Sequence, residues 1–221
     1  MRALFIFSIT LVAWKALGQT DSVQFFVTGN INQYVPRASA KGMYPVLGYD
    51  SDVKPKVLIG GFGVGVCGWM RMGSKSSLKA QANISRSVYW EEVNFYDQTN
   101  ADLGHYPVAT SDITLGPSVT WHLHAGKHFS IGTGLACQTL LLSYSRIRED
   151  VFAGGSRGLG ANRYYKPFVV TLPLELSLKW ERSFFNVRYE HGLHNRLKHD
   201  LAEFRTDHHG LIFAEIGFPI R

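Results

Sequence analysis

The stretch "VVTLPLELSLKW", Val169 to Trp180, limits what this chain can fold into more than any other. From Val170 every second residue is apolar: Leu172, Leu174, Leu176, Leu178 and Trp180, with Thr171, Pro173, Glu175, Ser177 and Lys179 between them. Successive side chains of a strand point to opposite faces, so a period of two over this length predicts a strand. Two kinds of fold use such a strand. In a water-soluble protein the leucines are buried and Glu175 and Lys179 meet solvent. In a transmembrane barrel the leucines meet lipid and the charges line the interior.

Period-two character recurs in eight segments of the 221-residue chain, at 23–35, 55–73, 76–94, 108–124, 127–146, 163–181, 183–195 and 208–221. Helical periodicity is almost absent. Several segments exceed the roughly 9–11 residues that a tilted strand needs to cross a bilayer. The connections alternate in length. "MGSKSS", "HAGKH" and "WERSF" are short, whereas 36–54, 95–107, 147–162 and 196–207 are long. Short turns on one side and long loops on the other describe an up-and-down barrel. An even number of strands returns both ends of the barrel to the short-turn side. "LLL" at Leu140 to Leu142 breaks the alternation, and Pro173 lacks the N–H that a ladder uses, so a bulge is expected at each.

The composition of the faces selects the membrane. In "VLIGGFGVGVCGWMRM", one face carries Leu58, Phe62, Val64, Val66, Met70 and Met72, the other Ile59, Gly61, Gly63, Gly65, Cys67, Trp69 and Arg71. The second face is small rather than charged. A soluble exterior would carry about 25–35% Lys, Arg, Glu and Asp. The interior of an eight-stranded barrel is only wide enough to be filled by side chains, which suits glycine. Trp121, Phe129, Trp180, Phe184 and Phe185 gather near the short turns, as an interfacial girdle would. Tyr89, Trp90, Tyr144, Tyr164 and Tyr165 are expected to form the other girdle. The predicted fold class is all-β, an eight-stranded antiparallel up-and-down transmembrane β-barrel.

The N-terminus, "MRALFIFSITLVAWKALGQ", has a basic start, an apolar run from Ala3 to Trp14, and small residues at Ala16 and Gly18. This reads as a signal peptide over 1–18, with the barrel domain over 19–221. The run is shorter than the roughly 20 residues of a helical span. The formal charge is +6, and loss of Arg2 and Lys15 leaves about +4. A pI near 9.3 would suggest nucleic acid inside a cell, but an exported chain rarely meets it, so no nucleic-acid partner is expected. Cys67 falls on the inward face and Cys137 on the outward one, which argues against a disulfide.

Two further stretches carry a family resemblance. "TLPLELSLKW" is similar to a Pro-containing strand "L-E-x-P-L-L-L-K", with Glu175 after Pro173 rather than before it. "VRYEHGLHN" is similar to "R-Y-x-Y-G-L-x-N", with His191 in place of an aromatic. Together with "ALGQ" at the end of the leader, these resemble the small PorT-like outer-membrane β-barrel family of Gram-negative bacteria. The resemblance implies an outer-membrane barrel and, through the family's founding member, a link to type IX secretion and gliding. The barrel-assembly machinery is the partner expected during insertion, and Phe218 near the C-terminus suits that recognition.

The residues that could carry chemistry fall on inward faces: Lys79, Asp112, Glu175, Lys179, Arg188, Glu190 and Glu215, with Arg71 and His122. Glu175 and Arg188, on segments joined by a short turn, are expected to pair across strands. Unpaired charges in a narrow interior are costly, so a lumenal polar network that seals the barrel is expected. "GVGVCG" matches G-x-G-x-x-G but opens no helix, so no cofactor is expected. His191, His194, His199, His208 and His209 fit no tight metal-ligand spacing, and no metal is expected. "RYEHGLHN" lacks the serine of the lipid A deacylase motif, so no catalytic residue is assigned and the chain is not expected to be an enzyme. The alternatives are a lipid A-modifying enzyme and a small pore. Arg146, Arg148, Arg157, Arg163 and Lys166 near the long loops could contact lipopolysaccharide phosphates. The expected role is surface interaction or accessory work in secretion, with other envelope or secretion proteins as partners.

Overall fold

The computed structural model describes residues 22–34, 50–96, 102–147, 158–161, 166–181, 183–194 and 209–219. The signal peptide expected at 1–18 lies outside them. Nine strands form one sheet: β1 (Ser22–Tyr34), β2 (Asp50–Arg71), β3 (Ser76–Tyr96), β4 (Asp102–Ala125), β5 (Phe129–Ile147), β6 (Gly158–Ala161), β7 (Phe168–Trp180), β8 (Ser183–Gly192) and β9 (His209–Pro219). Neighbours run antiparallel in the order β4-β3-β2-β1-β9-β8-β7-β5, and a β4–β5 pairing closes the ring. Eight strands therefore make the wall. Closure of the ring gives each of the eight wall strands a ladder on both sides, while β6 pairs with β5 alone.

The ninth strand corrects the expected long connection at 147–162, because Gly158–Ala161 is paired there. β7 meets β5 only between Phe129 and Thr139. Above that point the β5 edge would be open, and β6 fills it through Tyr144↔Ala161 and Ser145↔Gly160. The expected connection at 95–107 shortens as well, since β3 and β4 stay paired out to Tyr96↔Asp102. β2, β3 and β4 have 22, 21 and 24 residues. At about 3.3 Å per residue each is roughly 70–80 Å long, well beyond the 9–11 residues that span a bilayer. Their surplus lies at the long-loop end. Ser22 pairs with Trp69 and Gln24 with Pro219, so β1 starts and β9 finishes at the short-turn end.

The faces are inside out. Leu172, Leu174, Leu176, Leu178 and Trp180 on β7 are exposed, whereas Thr171, Glu175 and Ser177 between them are buried. The same alternation gives Phe62 and Val64 outside on β2, Ile131 and Leu135 on β5, and Ile212, Ile216 and Phe218 on β9. Such an apolar outer band around a polar interior makes the fold a transmembrane β-barrel of the all-β, up-and-down class. The leucines of the diagnostic stretch face lipid.

The two expected bulges divide. Ile113↔Leu142 is followed by Thr114↔Leu140, so Leu141 is an extra residue on β5. Leu141 and Leu142 are both exposed, and Ser143 returns to the interior. Pro173 makes no bulge. Its register with β8 is unbroken from Thr171↔Gly192 to Trp180↔Ser183. Towards β5 the pairing lapses between Thr133↔Leu174 and Ala136↔Thr171 without a shift. The missing N–H removes ladder contact on one side only, and no inserted residue is needed. Further irregularities lie on β2, between Pro55 and Leu58 and between Leu58 and Gly61, where a proline and a glycine pair mark them in the sequence.

Phe184 is not part of the girdle at the short turns. It is 1% exposed and packs with Phe26, Cys67 and Trp69, because it shares the inward face of β8 with Asn186 and Arg188. Trp121 and Trp180 do stand outside, about half exposed, as does Tyr144 at the other end. Tyr164 and Tyr165 lie outside the described residues, as do the side chains of Tyr89 and Trp90. Phe184 fits only because Gly217 faces it: a Cβ there would collide with the Phe184 ring. We expect Gly217→Ala to destabilise the barrel by about 1–3 kcal/mol through overpacking. Gly29 is the control, because a Cβ added there would meet nothing within 4 Å. Gly29→Ala should cost far less in the same urea titration. Equal costs at the two positions would remove the packing explanation.

Candidate functional site

The inward side chains form two layers in the lumen. Nearest the short turns is an aromatic layer, with Phe26 and Phe184 ring centroids 6.3 Å apart and Trp69 6.2 Å from Phe184. Beyond it lies an ionic layer supplied by five strands. Lys79 on β3 donates to Glu175 Oε2 on β7 at 3.0 Å and to Glu215 Oε2 on β9 at 3.3 Å. Arg188 on β8 reaches Glu215 Oε1 at 2.9 Å through Nη2 and Glu190 Oε1 at 3.2 Å through Nε. His122 on β4 stands 3.2 Å from Glu175 Oε2.

Two cations thus face three carboxylates, and neutral donors add to them, while Glu175 Oε1 and Arg188 Nη1 have no hydrogen-bond partner. Asn186 Nδ2 donates to Glu215 Oε2 at 2.8 Å and to Glu175 Oε2 at 3.2 Å. Gln81 donates to Glu215 Oε1 at 3.3 Å. Gln138 and Thr171 each donate to Glu190 Oε2 at 2.8 Å. Glu175 only accepts, so the His122 proton sits on Nε2, and Nδ1 accepts from the Ser130 hydroxyl at 3.3 Å. Glu215 is the hub, with four partners. Lys79, Arg188, Glu190 and Glu215 are all 0% exposed. A water-filled channel through this layer would leave them accessible; instead their side chains fill the cross-section.

Of the residues named from the sequence, Lys79, Glu175, Arg188, Glu190 and Glu215 are brought together. Asp112 is buried but sits eight residues along β4 from Thr120, the register partner of Lys79, and so lies outside the cluster, nearer the long loops. Lys179 is at the short-turn mouth, its Nζ 3.1 Å from the Trp69 ring centroid. The expected Glu175–Arg188 ion pair is corrected. The two are register partners, but Glu175 bonds to Lys79 while Arg188 turns to Glu190 and Glu215. Backbone register fixes which Cα atoms oppose each other, and long side chains then choose partners across the lumen. Gln81, Asn186, Gln138 and Thr171 were missed for that reason. Their even spacing from the charged positions was the available signal.

Among the described residues no group of three or more His, Cys, Asp or Glu is placed to hold a metal ion. Cys67 and Cys137 are free thiols, both buried. Cys137 keeps the outward parity of Leu135 yet is only 1% exposed, with its sulfur 3.6 Å from Thr139 Oγ1. His191 is on the exposed side of β8, its ring 3.3 Å from the Tyr189 hydroxyl. His199 and His208, the side chain of His209, and Arg148, Arg157 and Arg163 lie outside the described residues. Arg146 is exposed, and Lys166 is partly so.

No family model matches the chain, and no curated protein matches it. Several solved structures are similar. Neisserial surface protein A (NspA) has 9% identity and a TM-score of 0.43, over 89% of this chain and 97% of that one. The translocator domain of autotransporter NalP from Neisseria meningitidis has 8% identity and a TM-score of 0.36, over 99% and 97%. The TodX monoaromatic hydrocarbon channel, as a deltaS2 mutant, has 8% identity and a TM-score of 0.34, over 91% and 68%. Ring closure and the inside-out faces establish the barrel independently of these likenesses.

Proposed function

We propose that this chain is an integral outer-membrane barrel whose sealed interior is a scaffold and whose long-loop end does the work, in surface interaction or as an accessory to secretion. The observation that carries the reading is the fully buried ionic layer of Lys79, Glu175, Arg188, Glu190 and Glu215. A lumen filled in this way supports a structural role over passage of solutes. The basic leader at 1–18 supports export to the outer membrane. The PorT-like motifs "TLPLELSLKW" and "VRYEHGLHN" support the secretion role, and the basic residues Arg146, Arg148, Arg157, Arg163 and Lys166 support contact with lipopolysaccharide phosphates. Insertion then proceeds through the barrel-assembly machinery.

The test of the sealed scaffold is conductance. Reconstituted in a planar bilayer, the protein should give no stable single-channel steps, while an unheated sample on a semi-native gel migrates apart from a boiled one. Stable steps from a sample with that gel shift would overturn the sealed lumen and make a small pore the better reading. For the secretion role, a deletion strain should retain type IX cargo inside the cell; unchanged secretion would remove it. Lipid A with and without the protein should give identical mass spectra, and altered acyl chains would make the chain an enzyme.

A further inference from the structure

The short-turn mouth of the barrel holds a cavity of about 420 Å³ whose lining includes Trp69, Arg71, Ser77, His124, Lys127 and Lys179. Its charge is one-sided. Arg71, Lys127 and Lys179 stand at three different short turns of the wall, and no carboxylate is among the residues that line it. No carboxylate among the described residues ion-pairs with Lys179, whose ammonium rests against the Trp69 ring. Arg71 and Lys127 are exposed and Lys179 is half-buried at this rim; like charges gathered at one mouth repel one another, and a bound anion offsets this.

A second observation points the same way. Ser77 is 4% exposed and Trp69 6%, yet neither Ser77 Oγ nor Trp69 Nε1 has a hydrogen-bond partner. Both line the cavity. Buried donors are almost always satisfied, and here a hydroxyl and an indole N–H accompany three cations. The rim is also held in place. His124 N donates to Lys75 O at 2.9 Å, Lys179 N donates to His128 O at 2.7 Å, and the His128 ring meets Lys179 O at 2.8 Å. Adjacent short turns are thus bonded together, so the backbone that carries the cationic side chains is held in place without a ligand.

We propose that this mouth is a binding site for a phosphate group. Several cations, a hydroxyl and an indole N–H match a tetrahedral dianion with many acceptor oxygens better than a carboxylate, which is planar and singly charged. Phosphate at this place has two sources: a soluble phosphate or phosphomonoester, and the headgroup of an anionic phospholipid. The lipid source has its own support. His124 also lines an apolar notch of about 310 Å³ on the outer wall, with Leu123, Ala125, Ile131 and Leu174. A headgroup in the mouth could leave an acyl chain there. With the long loops outside the cell this end faces the periplasm, but the site depends only on the short-turn geometry.

Titration calorimetry of the folded barrel in phosphatidylcholine nanodiscs, first with inorganic phosphate and then with acetate, tests the site. Native mass spectrometry after exchange into phosphatidylglycerol tests the lipid source. Lys179→Met and Lys127→Ser, each with its gel shift intact, serve as variants. Loss of one charge-assisted contact should weaken binding by roughly tenfold or more. Saturable phosphate binding, stronger than that of acetate and weakened in the variants, supports the soluble source. Absence of phosphate binding together with one retained phosphatidylglycerol, lost in the variants, supports the lipid source. Neither form binding, acetate binding as tightly as phosphate, or either form binding equally to the variants overturns the proposal.

Discussion

Glu215→Ala should lower the unfolding free energy of the barrel by about 3–5 kcal/mol, the range for removing one partner from a buried ionic group. Glu215 accepts from Lys79, Gln81 and Asn186 at 2.8 to 3.3 Å and ion-pairs with Arg188 at 2.9 Å. Its loss leaves Lys79 with Glu175 alone and Arg188 with Glu190 alone, both cations at 0% exposure. The two oxygens of Glu215 each hold two donors, so an amide can replace only part of the arrangement. Glu215→Gln should therefore fall between the wild type and the alanine variant. Urea-induced unfolding in phospholipid vesicles, followed by tryptophan fluorescence and by the gel shift, measures both. A loss below about 1 kcal/mol, the range of exposed ion pairs, would mean that water reaches the layer and that it is no seal.

Leu174→Arg should cost about 2–4 kcal/mol in the same vesicles, because a cation on the lipid face near the bilayer centre loses its hydration. Leu174 is 52% exposed and sits in the middle of β7. Leu193, 50% exposed, lies just past the end of β8, where depth is small. Leu193→Arg should cost only about 0–1 kcal/mol. The contrast separates lipid from water, since in a water-exposed site both substitutions would be nearly neutral. Equal, small costs at the two leucines would sink the lipid-facing band.

The alternation in "VTLPLELSLKW" and in "IFAEIGFP" was enough to place every leucine or isoleucine of those two runs on the correct side, because a strand has one degree of freedom in this respect. The bulge at Leu141 was legible for the same reason: three consecutive leucines cannot all obey a period of two. Phe184 shows the limit of reading by residue type. An aromatic beside a short turn suggests a girdle, whereas its parity with Arg188 already pointed inward, and parity prevailed. Pro173 shows another limit. Whether a missing N–H forces a bulge depends on which neighbour that N–H would have faced.

The site was legible as a list and illegible as a set of contacts. Even spacing marked Lys79, Glu175, Arg188, Glu190 and Glu215 as inward, and the narrowness of an eight-stranded ring implied that they must meet. Strands, their faces and the inside-out character of the barrel depend on neighbours along the chain, and so could be read from residue order alone. Three outcomes could not. Glu175 bonds to Lys79 rather than to Arg188, Lys179 stands at the mouth over Trp69, and β6 completes the wall above β7. Each depends on strand stagger around a closed ring, which sets the height of every side chain in the lumen and is fixed by residues far apart in the chain.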